Sequence, residues 1–142
     1  MTVIKSTTIN RIYKNNGQHA QFVADYTLTG QVRKADNIHW ACGSDIPELK
    51  MSVKSARATL ASDLIGETIA DKVDDYFNRT ASTVWAYVTK DETIYIMDGI
   101  EFRQFIMTFA TMERDSTKNG GRMKVRFPHE SHKVIEWLGS KA

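Results

Sequence analysis

The segment from Gly43 to Ser55, GSDIPELKMSVKS, brings together the residue types that phosphodiester hydrolysis uses. Asp45 ends one extended piece and Lys54 lies on the next, so an acid and a lysine can face each other across a hairpin, with Glu48 in the turn between them. In that chemistry carboxylates, here Asp45 and Glu48, hold Mg²⁺ or Mn²⁺. The metal lowers the pKa of a bound water, and a lysine orients that water or stabilises the charge that builds on phosphate. Residues two apart in a strand share a face, so Ser52 and Lys54 point one way, while Val53 points to the core and lends only its backbone carbonyl. Each residue also has a plainer role. An aspartate before Ile46-Pro47 suits a turn, Lys54 suits a solvated or edge-blunting position, and Glu48 suits a polar loop.

A second group is basic. Lys118, Arg122, Lys124 and Arg126 lie in KNGGRMKVR, around a Gly-Gly turn whose backbone N–H groups can contact phosphate; the same run also reads as a solvated loop. The histidines His19, His39, His129 and His132 are scattered, and the i, i+3 spacing of the last two is a weak metal signal. Cys42 has no base beside it and reads as a quiet buried thiol. Trp40, Trp85 and Trp137 are spaced like core residues rather than a base-stacking platform.

These groups need a scaffold, and hydrophobic spacing supplies its outline. Phe22, Val23 and Tyr26 predict a helix from Gln18 to Leu28, stopped by Gly30. Residues 37–40 and 44–46 read as extended. Met51 to Leu60 alternates like a strand, which the short gap after Ile46 folds back into a tight antiparallel hairpin. Ile69, Val73, Tyr76 and Phe77 mark a second helix. TVWAYVT (83–89) and TIYIM (93–97) form a second hairpin. Asp98 and Glu101 have capping-box spacing, so a third helix starts there and buries Phe102, Phe105, Ile106 and Phe109. DSTKNGG (115–121) turns the chain into a basic strand from Arg122 to Phe127. Pro128 and His129 then lead into a last helix carrying Val134, Ile135, Trp137 and Leu138. The order α-β-β-α-β-β-α-β-α predicts an α+β (mixed α/β) domain, with a central mixed sheet of about five strands flanked by about four helices.

The chain has 142 residues, 42% hydrophobic and 25% charged, the make-up of one globular domain over residues 1–142 that can bury a real core without staples. No apolar run is long enough to span a membrane, and MTVIKSTTINR lacks the apolar stretch of a secretory signal, so a cytoplasmic location and no membrane partner are expected. One cysteine makes neither an internal disulfide nor a thiolate metal site, which excludes zinc fingers. The net charge of +2 says little about nucleic acid by itself. Base is concentrated at the two ends: residues 1–35 hold Lys5, Arg11, Lys14, Arg33 and Lys34 against Asp25 alone. A polyanion partner is therefore expected if the ends meet, and an ordinary solvated surface if they do not.

The order helix, hairpin bearing an acid and then x-V-K, helix, hairpin, helix resembles the core of the PD-(D/E)XK, or restriction-endonuclease-like, superfamily over most of the chain. The resemblance implies a metal-dependent DNA phosphodiesterase of the kind a phage or mobile element carries, with Mg²⁺ or Mn²⁺ as cofactor. Asp45 then stands at the first acidic position and Lys54 at the motif lysine. The chain departs from the motif at Ser52, which holds the second acidic position without a carboxylate. Glu48 can substitute from the turn, or Glu48-Leu49-Lys50 is itself the E-x-K element after Asp36 or Asp45. The acid that such folds add from the first helix has only Asp25 to match it, beside Gln18 and Gln21. Two functions follow: a nuclease in which Lys118, Arg122, Lys124 and Arg126 hold the DNA backbone, or a catalytically inactive module of the same fold that binds DNA or docks on a protein.

Overall fold

A computed structural model describes residues 1–6, 11, 13–33, 44–60, 62, 64, 68–114 and 123–142. Strands and helices alternate along it, and the chain is an α+β protein. The strands are β1 (Thr2–Lys5), β2 (Met51–Lys54), β3 (Thr59–Leu60), β4 (Val84–Val88), β5 (Thr93–Met97), β6 (Thr111–Arg114) and β7 (Met123–Arg126). The α-helices are α1 (Asn16–Thr29), α2 (Ile69–Arg79), α3 (Gly99–Phe109) and α4 (His132–Lys141).

The strands form two sheets, not one of five. The larger has the order β1-β5-β4-β2, and the smaller β3-β7-β6. Pairings are antiparallel except β2 with β4, which α2 connects as a parallel crossover. The expected strand from Met51 to Leu60 breaks at a turn in which Ala58 N–H reaches the Ser55 carbonyl and Arg57 takes a φ of 64°. β2 therefore stays in the first sheet while β3 joins the second. The expected hairpin shrinks to one rung: Ile46 and Met51 exchange both backbone bonds around a 3-10 turn, Pro47–Leu49. β2 then takes β4, not residues 44–46, as its ladder partner.

The period-2 alternation sorts side chains to two faces of the larger sheet. Met51, Ala86, Val88 and Ile94 pack with Ala20, Val23 and Ala24 of α1. Trp85, Tyr87, Tyr95 and Met97 point the other way, into a larger core built with α2, α3, the small sheet and α4. Register places Ser52 opposite Trp85 and Lys54 opposite Tyr87, so both belong to the larger-core face.

Each helix begins on a side chain that accepts an otherwise orphaned N–H. Asn15 serves Gln18, Thr68 serves Asp71, and Ser131 serves Val134. Asp98 and Glu101 form the expected capping box. α1 ends where predicted, at Gly30 with φ 75°, a conformation that costs glycine little. Among the described residues no helix is long and apolar enough to cross a membrane.

Candidate functional site

β2 is the last strand of its sheet, so residues whose backbone groups face away from β4 have no ladder partner there. Met51 finds one in Ile46. Val53, two residues on, donates its N–H instead to Asp45 Oδ2 at 2.7 Å. The short reversal at Pro47–Leu49 makes this reach feasible, because it returns the chain beside itself with Asp45 one residue before the rung. Burial pushes the Asp45 carboxyl above the usual carboxylate range, while the Val53 N–H and the neighbouring Lys54 ammonium pull it back.

Lys54 lies 6.0 Å over the Tyr76 ring, and its Nζ is 3.4 Å from the Thr59 carbonyl oxygen. The aspartate and the lysine thus flank one stretch of edge backbone. Ser52 is enclosed: its hydroxyl lies 2.6 Å from that of Ser82, which lies 2.8 Å from that of Ser44. The second acidic position of the motif is therefore a buried hydroxyl at the β2 end of a Ser44–Ser82–Ser52 chain, with no carboxylate to offer a cation.

Glu48 does not join Asp45. Its carboxylate is gripped by both terminal nitrogens of Arg33, which hold it below the usual carboxylate range. The same guanidinium bonds Asp25 through Nε at 3.0 Å. Asp25, the acid expected from the first helix, is fully buried and also accepts from Thr29 Oγ1 at 2.8 Å and from Arg33 N–H at 3.0 Å. One arginine thus pairs with both of the other acids expected near the metal, Asp25 and Glu48. The alternative element Glu48-Leu49-Lys50 lies in the 3-10 turn and its αL cap, not on a strand; Asp36 lies outside the described residues.

Arg33→Ala is expected to lower unfolding free energy by about 3 kcal/mol, the lower end of the range for stranding one member of a buried pair. The lower end applies because Thr29 and the backbone N–H of residue 33 still serve Asp25. Urea denaturation at neutral pH measures it, and a loss below about 1 kcal/mol means that Asp25 is stabilised by something other than this guanidinium.

Of the basic run, Arg126 is committed: its Nε lies 2.9 Å from Glu113 Oε2, and it donates to the Arg57 carbonyl. Arg57 holds the same glutamate through a two-toothed pair at 2.7 and 2.8 Å. Lys124 stands opposite Glu113 in the ladder. Lys118 and Arg122 lie outside the described residues, as do His39, Trp40 and Cys42. His132 is placed 3.7 Å from Glu136 on the exposed face of α4, and no group of three metal-capable side chains occurs among the described residues. Trp85 is a core residue, as its spacing implies.

The described donors at the β2 edge are the Asp45 carboxylate and the Val53 carbonyl, which shares an edge with its own N–H. That set does not fit a resident Mg²⁺ or Mn²⁺. It fits a cation that keeps most of its waters and is completed by a substrate phosphate. Reading along the chain missed Ser82 and Arg33. Ser82 reaches Ser52 only through the parallel register of β2 and β4, and Arg33 lies outside any motif, so no spacing signal marks either residue. Compared with protein-family models, curated proteins and solved structures, the chain gives no match.

Proposed function

We propose that this chain is a nuclease-like domain that acts on nucleic acid, DNA in the first instance, at the free edge of β2. The observation that carries the reading is the placement of Asp45 and Lys54 on one short stretch of edge backbone, the acid bound to Val53 N–H and the ammonium close enough to act on it. The order β2, α2, the β4–β5 hairpin and α3 supports it, because it keeps the later part of the element order in the restriction-endonuclease-like resemblance, although the first hairpin is reduced to one rung. In this reading Lys54 meets a phosphate, and Asp45 with the Val53 carbonyl meets a Mg²⁺ or Mn²⁺ that arrives with that phosphate. Such a cation supplies a water of lowered pKa. Lys118, Arg122 and Lys124 meet the DNA backbone, while Arg126 stays in its pair with Glu113.

A second reading, a module that binds DNA or a protein without cutting, draws on Arg33, which occupies both Asp25 and Glu48. Calorimetric titration of Mn²⁺ into the protein, with and without duplex DNA, separates the two. The nuclease reading expects saturable heat only when DNA is present, together with nicking of plasmid and an affinity that falls steeply with salt. DNA binding with no cation-dependent cleavage selects the second reading. No DNA binding at low salt removes both nucleic-acid readings and leaves a protein partner.

A further inference from the structure

An open groove of about 570 Å³ lies between α2 and the start of α3, within the size range of clefts that hold ligands. Phe77 of α2 and Gly99, Ile100 and Arg103 of α3 line it, together with Asp98 and Gln104. Ile100 is 72% exposed, and Met107, two turns further along the same face of α3, is 49% exposed. The start of the helix does not need Ile100. Asp98 and Glu101 already cap it, and Met97 and Phe102, the apolar pair that flanks such a cap, are both fully buried in the core.

Gly99 is not demanded by the fold either. Its φ is not in the left-handed region, and a Cβ there would meet only ring carbons of Trp85 and Phe77, at 3.7 and 3.8 Å, which is ordinary contact. What its missing side chain does is leave space beside the Phe77 ring. The opposite face of that ring is covered by Arg103, whose guanidinium lies 4.7 Å from the ring centre and donates to Asp74 at 2.6 Å. Asp98 lines the groove, Asp74 holds Arg103, and Asp71 stands one turn before Asp74 on α2, so three exposed carboxylates face one guanidinium. A lip of this sign repels a phosphate backbone and attracts cationic side chains.

We infer that this groove docks a partner protein through a short segment that lays an apolar side chain against Ile100 and Phe77 and sets a Lys or Arg against Asp74 and Asp98. Complementary charge chooses the partner, and the apolar anchor supplies most of the affinity. The groove shares no residue with the Asp45–Lys54 edge, so its occupancy does not depend on whether that edge cuts DNA.

The test selects a displayed random-peptide library on the wild-type protein, with counter-selection on Ile100→Ser. Selection is expected to enrich peptides that pair Leu, Phe or Trp with Lys or Arg. A synthetic consensus peptide should move the Ile100 methyl NMR signal saturably and bind Ile100→Ser at least about tenfold more weakly, as expected for loss of an anchor contact. Asp74→Asn should weaken the same peptide at low salt, with the difference fading as salt rises. Ile100 is exposed, so an unchanged urea midpoint is expected to show that its variant keeps the fold. Docking of a basic partner segment is overturned if no peptide prefers wild type over Ile100→Ser, or if the enriched peptides are acidic or uncharged. It is equally overturned if an oligonucleotide moves the Ile100 signal, which makes the occupant a nucleic acid, or if sedimentation shows a dimer that Ile100→Ser dissociates, which makes it a second copy of this chain.

Discussion

Asp45→Asn is expected to remove cation-dependent nicking of DNA while leaving the protein folded. An asparagine carbonyl still accepts from Val53 N–H, so the edge contact survives, but the anion that meets a cation is gone. A cation contributes several kcal/mol of charge stabilisation, so activity should fall at least about a hundredfold. Asp45→Ala should lose the same activity and also about 1–3 kcal/mol of stability, because it strands a partly buried N–H. Lys54→Met, which keeps the stem over Tyr76, should weaken DNA binding without that loss. Nicking that is equal in wild type and Asp45→Asn would end the nuclease reading. The pH dependence gives an independent check. A folded state that raises the Asp45 pKa holds more protons than the unfolded chain over that window, so the contribution of this group to stability declines as pH rises through it. Asp45→Asn lacks that component. Its stability relative to wild type should therefore improve as pH climbs from below the usual carboxylate pKa to above the raised one, as read from urea midpoints.

Trp85→Ala is expected to be the most damaging core substitution near this site, at about 4–5 kcal/mol. The indole is 2% exposed and stacks on Phe102 with centroids 5.0 Å apart and planes within 9°, while Phe77 meets it edge-on at 5.2 Å. Its Nε1–H also donates to the Tyr76 hydroxyl at 2.8 Å. Truncation opens a large void and leaves that hydroxyl without its partner, which places the cost at the upper end for an aromatic residue. A domain of this size has a stability of about 5–15 kcal/mol, so the variant sits close to unfolding. Trp85→Phe should lose only about 1 kcal/mol, since it keeps most of the ring and drops the N–H. Equal losses for the two, measured by urea denaturation, would mean that packing contributes less than the hydrogen bond. Because the Tyr76 ring lies beneath Lys54, the alanine variant should also loosen that lysine.

What the chain reveals before folding follows from how local each signal is. The capping box at Asp98 and Glu101, the stop at Gly30 and the hairpin of β4 and β5 are written within a few residues, and all appear as expected. β1 and β6 were not expected. TVIK and TMER are four residues each, and what makes them strands is a distant partner, β5 for the first and β7 for the second. The break between β2 and β3 escaped for the same reason, since alternation continues through Lys54 while the hydrogen bonds change sheet. Asp45 and Lys54 were legible because they sit nine residues apart across a tight reversal. The loss of Glu48 to Arg33 was not, because which acid an arginine holds depends on where α1 ends against the turn.

The Asp45–Val53 contact has a bearing on self-association as well. An outermost strand with an open amide invites a second chain to add a strand of its own, which is a route to fibrous aggregates. Here a carboxylate occupies that amide and brings a negative charge to the margin where a foreign strand would dock. The residue proposed to meet a cation is thus expected also to oppose self-association, and a variant at position 45 that keeps a polar group there should aggregate less at high concentration than one that does not.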